Sequence, residues 1–215
     1  MKFPRIYHLP NSPGLSNDDK RVESVELFLN RTVVITEKLD GSNVCLSRDN
    51  VFARSHSGTP THPSFDLLKA KHAELKYAIE EGIDIYCEWC YAVHSIKYDF
   101  LPDYLFVIAI RDRDRGIWLS YHDTINKVIQ LKLKTAPFLE RVIFTDEIML
   151  ANIVNKFARK PSVFGCEREG IVLRVDDEFE DLSSSMAKWV RKDHVQTDEH
   201  WMHKPIEKQK LLEEL

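Results

Sequence analysis

The chain has 215 residues, with 30 basic and 34 acidic side chains and a formal charge of −4. At about 100–200 residues per domain, that length predicts one domain. Hydrophobic residues make up 43% and charged residues 30%, which excludes a chain disordered throughout and fits a soluble protein with a buried core. No apolar run approaches the roughly 18–20 residues that a membrane helix requires. The first fourteen residues, MKFPRIYHLPNSPG, are interrupted by prolines and lack the apolar segment of a signal peptide. A cytoplasmic protein with no membrane partner is expected. Cys45, Cys87, Cys90 and Cys166 are too few and too scattered for a disulfide scaffold and fit a reducing compartment. A pI of about 6.1 argues against a nucleic-acid coat protein, yet a single basic cleft could still contact phosphates.

In chain order, residues 10–19 are loop chemistry, with Pro, Gly, Ser, Asn and Asp clustered. Arg31–Thr36 reads as a β-branched strand, and Val44–Leu46 with Val51–Ala53 as a hairpin turning at residues 48–50. Ser64 is a candidate cap for a helix over Phe65–Glu81, with Leu68, Leu75 and Ile79 on one face and Gly82 as its stop. Strands are expected at Ile83–Trp89 and Tyr104–Arg111, then a charged turn and a returning strand at Ile117–Ser120. Helices follow near 122–133 and 146–159, the second ended by Lys160-Pro161. Two further strands, Gly170–Val175 and Ala187–Lys192, flank an acidic turn. The last fifteen residues are polar with a short helix. Strand pairs interrupted by helices, without βαβ alternation, predict an α+β fold of largely antiparallel sheets.

The chemistry concentrates at Glu37-Lys38-Leu39-Asp40-Gly41-Ser42-Asn43, directly after a strand. A lysine between a buried strand and a glycine turn can be held rigidly at a cleft mouth. Alone, this tetrad is a common strand-to-turn transition. Other strand ends carry charge as well: Arg54 after Phe52-Ala53, Glu88 in Tyr86-Cys87-Glu88-Trp89, Glu169 before Gly170-Ile171-Val172-Leu173-Arg174, and Lys188 in Ala187-Lys188-Trp189-Val190-Arg191-Lys192. Any one of these carboxylates is more often a solvated strand end than a catalytic group.

Taken in order, these segments resemble the nucleotidyltransferase motifs of the ATP-dependent ligase and mRNA-capping superfamily, and most closely its RNA ligase 2-like family. The resemblance runs from about residue 30 to residue 192. It implies a nucleotidyltransferase (ATP-grasp-like) domain of two sheets with ATP between them, and ligation of RNA ends in three steps. Lys38 would attack the α-phosphate of ATP and form lysyl-AMP, AMP would pass to a 5′-phosphate, and a 3′-hydroxyl would displace it. A free lysine has a pKa near 10.4, so a neutral nucleophile at pH 7 costs about 4.6 kcal/mol. A neighbouring cation such as Lys188 and a bound Mg²⁺ or Mn²⁺ are expected to lower that pKa.

By the same resemblance Arg54 would contact phosphate, Glu88 the ribose hydroxyl, Glu169 a divalent metal and Lys188 the α-phosphate. Glu37 would lie near the adenine, and Asn43 near the metal or phosphate. Where the family commonly has an aromatic residue and then an acid, this chain has Ile108 and Ala109, so either Ile108 or Phe106 would contact the base. Cys87 stands where a glycine is usual. The second cation of the last motif is Arg191 or Lys192. Only 23 residues follow Lys192, so the expectation is one catalytic domain over 1–215, with 193–215 a short tail and no OB-fold domain. RNA ends are the expected partner. A DNA strand and a non-catalytic binding module of the same fold stay open, and no protein partner is identified. Cys87-x-x-Cys90 and His200-x-x-His203 with His194 are weak metal candidates, and Trp189 and Trp201 could stack on nucleotides or sit in the core.

Overall fold

The computed structural model describes residues 2–15, 19–54, 58–192 and 205–214. His194, His200, Trp201 and His203 lie outside the described residues. Eleven strands form among the described residues: β1 Tyr7–His8, β2 Thr32–Lys38, β3 Ser42–Leu46, β4 Val51–Ala53, β5 Ile83–Trp89, β6 Leu105–Asp112, β7 Ile117–Trp118, β8 Lys134–Thr135, β9 Phe138–Ile143, β10 Gly170–Val175 and β11 Met186–Val190. Three helices accompany them: α1 Asp66–Leu75, α2 Tyr121–Gln130 and α3 Glu147–Ala158.

The strands build two sheets, ordered β1-β11-β10-β2-β9 and β4-β3-β5-β6-β7, with β8 added beside β6. Every pairing is antiparallel except β1 with β11 and β6 with β8. The expected α+β class and antiparallel sheets are therefore present. β10 is the organising strand of the first sheet. Its run Gly-Ile-Val-Leu-Arg-Val is β-branched or apolar at most positions, as a strand with neighbours on both sides requires, and it is flanked by β2 and β11.

Period-two alternation gives β10 two faces. Ile171, Leu173 and Val175 join Val33 and Ile35 of β2 and Leu150, Val154 and Phe157 of α3 in one core, which continues to Tyr86, Ala109 and Trp118 of the second sheet. Val172 and Arg174 instead line a cleft between the sheets. The other side of the second sheet buries Leu46, Ile85, Cys87 and Trp89 with Leu68 of α1 and Val128 of α2.

Several boundaries differ from the sequence reading. The helix expected over 65–81 is confined to Asp66–Leu75, followed by a 3-10 turn. Ile79 leaves it with extended backbone and inserts into the core. Ser64 does not cap α1. It belongs to a preceding 3-10 turn, where its amide donates to the His62 ring. α2 and α3 are capped as their sequences allow, by Ser120 accepting from Asp123 N–H and by Asp146 accepting from Met149 N–H. β1, β8 and β9 were not anticipated. The polar C-terminus does form a 3-10 turn at Leu212–Glu214, but residues before it lie against the body of the domain.

Candidate active site

Lys38 closes β2, and the antiparallel register sets it opposite Gly170, the first residue of β10. Glu169 is thereby delivered beside it: Lys38 Nζ lies 2.8 Å from Oε1 and 2.9 Å from Oε2. The lysine also donates to the Leu39 carbonyl at 3.3 Å. Gly170 is required at this junction, because a Cβ there would stand 2.1 Å from the Trp189 carbonyl oxygen of β11.

Glu88 comes from the second sheet, on β5 between Asn43 of β3 and Phe106 of β6. Its Oε1 accepts the Gly41 N–H at 3.0 Å, which ties the turn after Lys38 to that sheet. A Cβ on Gly41 would meet the Trp89 carbonyl at 2.7 Å, so glycine is what lets the turn approach so closely. Asp40 in the same turn accepts the Ser95 and Ile96 N–H groups at Oδ2, both at 2.7 Å, and donates its own N–H to Tyr98 Oη at 2.8 Å.

Lys188 sits on β11 between His8 of β1 and Val172 of β10. Its Nζ is 3.3 Å from Asp19 Oδ1, and His8 Nε2 is 3.3 Å from Asp19 Oδ2. Sequence reasoning missed His8 and Asp19. Asp19 is 169 residues from its lysine, and the interrupted N-terminal segment carries no local signal for the contact.

Among the chain's own groups, carboxylates dominate the titration of Lys38. Burial alone would lower the Lys38 pKa, but the Glu169, Glu88 and Asp40 carboxylates outweigh it and hold the ammonium above its ordinary range. Lys188 does not dominate Lys38; it is itself held below its usual range, by burial first and then by Lys38. Burial pushes Glu88 and Glu169 up to about 7 against the opposing pull of Lys38. The site thus sets a lysine held protonated against carboxylates whose charge burial opposes.

The surrounding cleft measures about 840 Å³ and is lined by Glu37, Lys38, Asn43, Arg54, Glu88, Ile108 and Lys188, among others. Glu37 is buried. Its Oε2 forms an ion pair with Arg168 Nη2 and accepts the Val163 N–H, both at 3.2 Å, while its Oε1 has no hydrogen-bond partner. Asn43 Oδ1 is likewise buried without a partner. Buried polar atoms are normally satisfied, so both are acceptors in want of a ligand. Among the described residues no three His, Cys, Asp or Glu side chains form a cluster that could hold a metal ion. The hard oxygens available, from Glu169, Glu88 and Asn43, fit a divalent cation that retains water and phosphate oxygens.

A family model described as RNA ligase matches residues 31–190. The chain belongs to the RNA ligase family. Solved structures of an RNA ligase from Naegleria gruberi share its fold. The ligase with PPi is 19% identical at a TM-score of 0.63, over 88% of this chain and 57% of that one. A mutant with AMP and Mn is 18% identical at 0.64, over 91% and 59%. A mutant with ATP and Mn is 18% identical at 0.63, over 91% and 59%. The chain thus spans less than two thirds of the length of those proteins. Among curated proteins, no sequence matches.

Within this RNA ligase fold, the two candidates for the base separate. Ile108 lines the cleft, whereas Phe106 is buried against Phe164, with ring centroids 5.5 Å apart. Strand alternation would put Phe106 and Ile108 on one face of β6, but a register shift opposite Tyr86/Cys87 breaks it. Arg191 pairs with Glu167 at 3.1 Å, and its N–H donates to the Glu169 carbonyl. Lys192 is exposed. Neither Arg191 nor Lys192 lines the cleft. Trp189 packs against the core, and Cys87 and Cys90 are buried free thiols.

Proposed function

We propose that this RNA ligase family member is an ATP-dependent RNA ligase acting through a covalent Lys38–AMP intermediate. The observation that carries this reading is the placement of Lys38. It stands at the cleft between the two sheets, 2.8 Å from Glu169, with Glu88 and Lys188 on the same cleft. The Naegleria gruberi structures with ATP and Mn, AMP and Mn, and PPi support ATP as co-substrate and a divalent metal.

The adenine lies between Ile108 of the second sheet and Val172 of the first, with the unpartnered Oε1 of Glu37 accepting from its amino group. Glu88 accepts from the ribose hydroxyl, and Arg54 and Lys188 bind phosphate oxygens. Asn43 supplies a further polar contact near the phosphates. Arg191 or Lys192 is the cation beyond Lys188 that meets the incoming strand. Glu169 is the ligand proposed for Mg²⁺ or Mn²⁺, which would neutralise charge on the phosphates and weaken the hold of the carboxylate on the lysine.

Lys38 first releases its ammonium proton to water in the cleft. Its nitrogen then forms a bond to the α-phosphorus as the bond to pyrophosphate breaks. A 5′-phosphate oxygen next takes the AMP and frees the lysine. Finally a 3′-hydroxyl attacks that activated 5′-phosphate, AMP leaves, and the phosphodiester is complete. Lys188 stabilises charge developing on the transferred phosphate.

The test is sealing of a 5′-labelled RNA nick and of two single-stranded RNA ends, each beside its all-DNA counterpart, with ATP and Mg²⁺ or Mn²⁺. Joined RNA, with adenylylated 5′ ends accumulating when the 3′-hydroxyl is removed, is the expected result. Joining of DNA alone would replace RNA as substrate, and joining of neither would remove the sealing steps from the proposal.

A further inference from the structure

The loop after β5 touches the Asp40 turn of the active site on one side and the C-terminal segment on the other. Gln209, in that segment, is 1% exposed. Its Nε2 donates to the Ile96 carbonyl at 2.7 Å, and its Oε1 accepts the Tyr98 N–H at 2.9 Å. Asp40 grips the same two residues from the opposite side, accepting the Ile96 N–H and donating its own N–H to the Tyr98 hydroxyl.

Gln209 is fixed in turn by its backbone. Its N–H donates to the Tyr91 carbonyl at 2.9 Å, and its carbonyl accepts the Tyr104 hydroxyl at 3.0 Å. Neighbouring backbone bonds run from Val93 N–H to Glu207 O and from Leu101 N–H to Lys210 O. Lys97 and Glu207 form an ion pair across the same seam.

From this geometry we infer that Gln209 is a positioning residue for the adenylylation step. Residues 96–98 are a spacer clamped between Gln209 and Asp40, and Asp40 lies two residues after the nucleophile. Without the glutamine amide, Ile96 O and Tyr98 N–H lose their buried partners and the spacer is free to shift. The Asp40 turn then shifts with it, and Lys38 loses its fixed place beside Glu169. His94 and Ser95, which line the cleft just ahead of the spacer, move as well. Nothing in the mostly polar residues around Gln209 signals this role. It arises because the chain returns 111 residues later to the Tyr98 amide.

The inference rests on the proposed Lys38–AMP chemistry, and the test separates the two. Wild type, Gln209→Met, Tyr98→Phe and the double variant, all full length, are mixed with α-labelled ATP and Mg²⁺ in single-turnover reactions over a range of ATP concentrations. Methionine keeps the volume of glutamine and removes only its two side-chain hydrogen bonds. Misplacement by about 1 Å is enough to slow chemistry on the order of 100-fold, so Gln209→Met should lower the maximal labelling rate by at least about tenfold. The half-saturating ATP concentration should stay within about threefold, since Ile108 and Val172 are not part of the clamp. Tyr98→Phe should also slow labelling, and the double variant should be slower than either single by less than the product of their effects. Circular dichroism and a melting curve establish that each variant is folded at the assay temperature.

A wild type that labels, beside a folded Gln209→Met that labels equally fast, overturns the inference and leaves the proposed function standing. Loss confined to ATP affinity, or strictly multiplicative effects, also overturns it. An unlabelled wild type overturns the proposed function instead. If Gln209→Met does not fold, Tyr98→Phe decides: unchanged labelling there contradicts a clamp acting on Asp40.

Discussion

The Lys38 ammonium lies 2.8 Å from the Glu169 carboxylate, across the β2–β10 junction that pairs Lys38 with Gly170. Backbone register therefore brings Lys38 and the carboxylate that neutralises it together, and the Asp40 turn fixes the end of β2 from which the lysine projects. The pair holds the lysine protonated until something competes for the carboxylate.

Glu169→Gln removes the strongest group raising the Lys38 pKa, leaving burial to lower it with less opposition. In the ligand-free protein the Lys38 titration should therefore move to lower pH. The pH dependence of Lys38 acylation by an amine-reactive reagent, followed by peptide mass, measures it directly. An unchanged midpoint would contradict the electrostatic account.

Glu88, half-buried at the cleft, has its folded pKa pushed up to about 7 by desolvation, against an ordinary value near 4.5. The folded state then binds more protons than the unfolded one across this window. Stability from this group is greatest below about pH 4.5 and is lost as pH rises through about 7. His8, buried and lowered to about 4, acts oppositely, losing stability as pH falls from about 6.5 towards 4. The difference between wild type and Glu88→Gln isolates the carboxylate. Urea unfolding should show the variant gaining on the order of 1–3 kcal/mol relative to wild type between pH 5 and pH 8.

How much of this was legible in the sequence depends on where each residue's partners lie. Ile83–Trp89 and Gly170–Val175 are runs rich in β-branched and apolar residues, and their strands fall where the pattern placed them. β9 was missed because it is a sheet edge. Its Phe138, Arg141 and Ile143 side chains are exposed, so no clean alternation marks it. β1 and β8 are two residues each, too short to carry a period. Lys38, Glu88, Glu169 and Lys188 could be picked out because each sits at or beside a strand in a recognisable motif. Asp19 and Gln209 could not, since their contacts exist only after the two ends of the chain fold back on the domain.

The broken alternation on β6 gives a clean separation of roles. Ile108→Ala should raise the half-saturating ATP concentration about five- to tenfold, roughly 1–1.5 kcal/mol of lost apolar contact, with little change in melting temperature. Phe106→Leu should lower the melting temperature and leave ATP affinity unchanged. Binding isotherms and melting curves for both variants check the pair, and the reverse pattern would return the base contact to Phe106.

Glu37 and Arg168 are both nearly inaccessible, at 2% and 4% exposure, and are joined at 3.2 Å. Arg168→Met strands a buried carboxylate and should destabilise the fold by about 3–5 kcal/mol. Adding Glu37→Gln should recover much of that loss. A double-mutant cycle in urea measures the coupling, and additive losses would mean that the pair contributes nothing specific.

The central claim is that Lys38 becomes covalently adenylylated. Purified protein is treated with pyrophosphate and Mg²⁺ to discharge any bound AMP, desalted, and incubated with α-labelled ATP and Mg²⁺ or Mn²⁺, then denatured and resolved by size. The account predicts label on the 25.1 kDa chain, absent from Lys38→Ala and released again by pyrophosphate. Label that persists in Lys38→Ala, or none on the wild type with either metal, would contradict it.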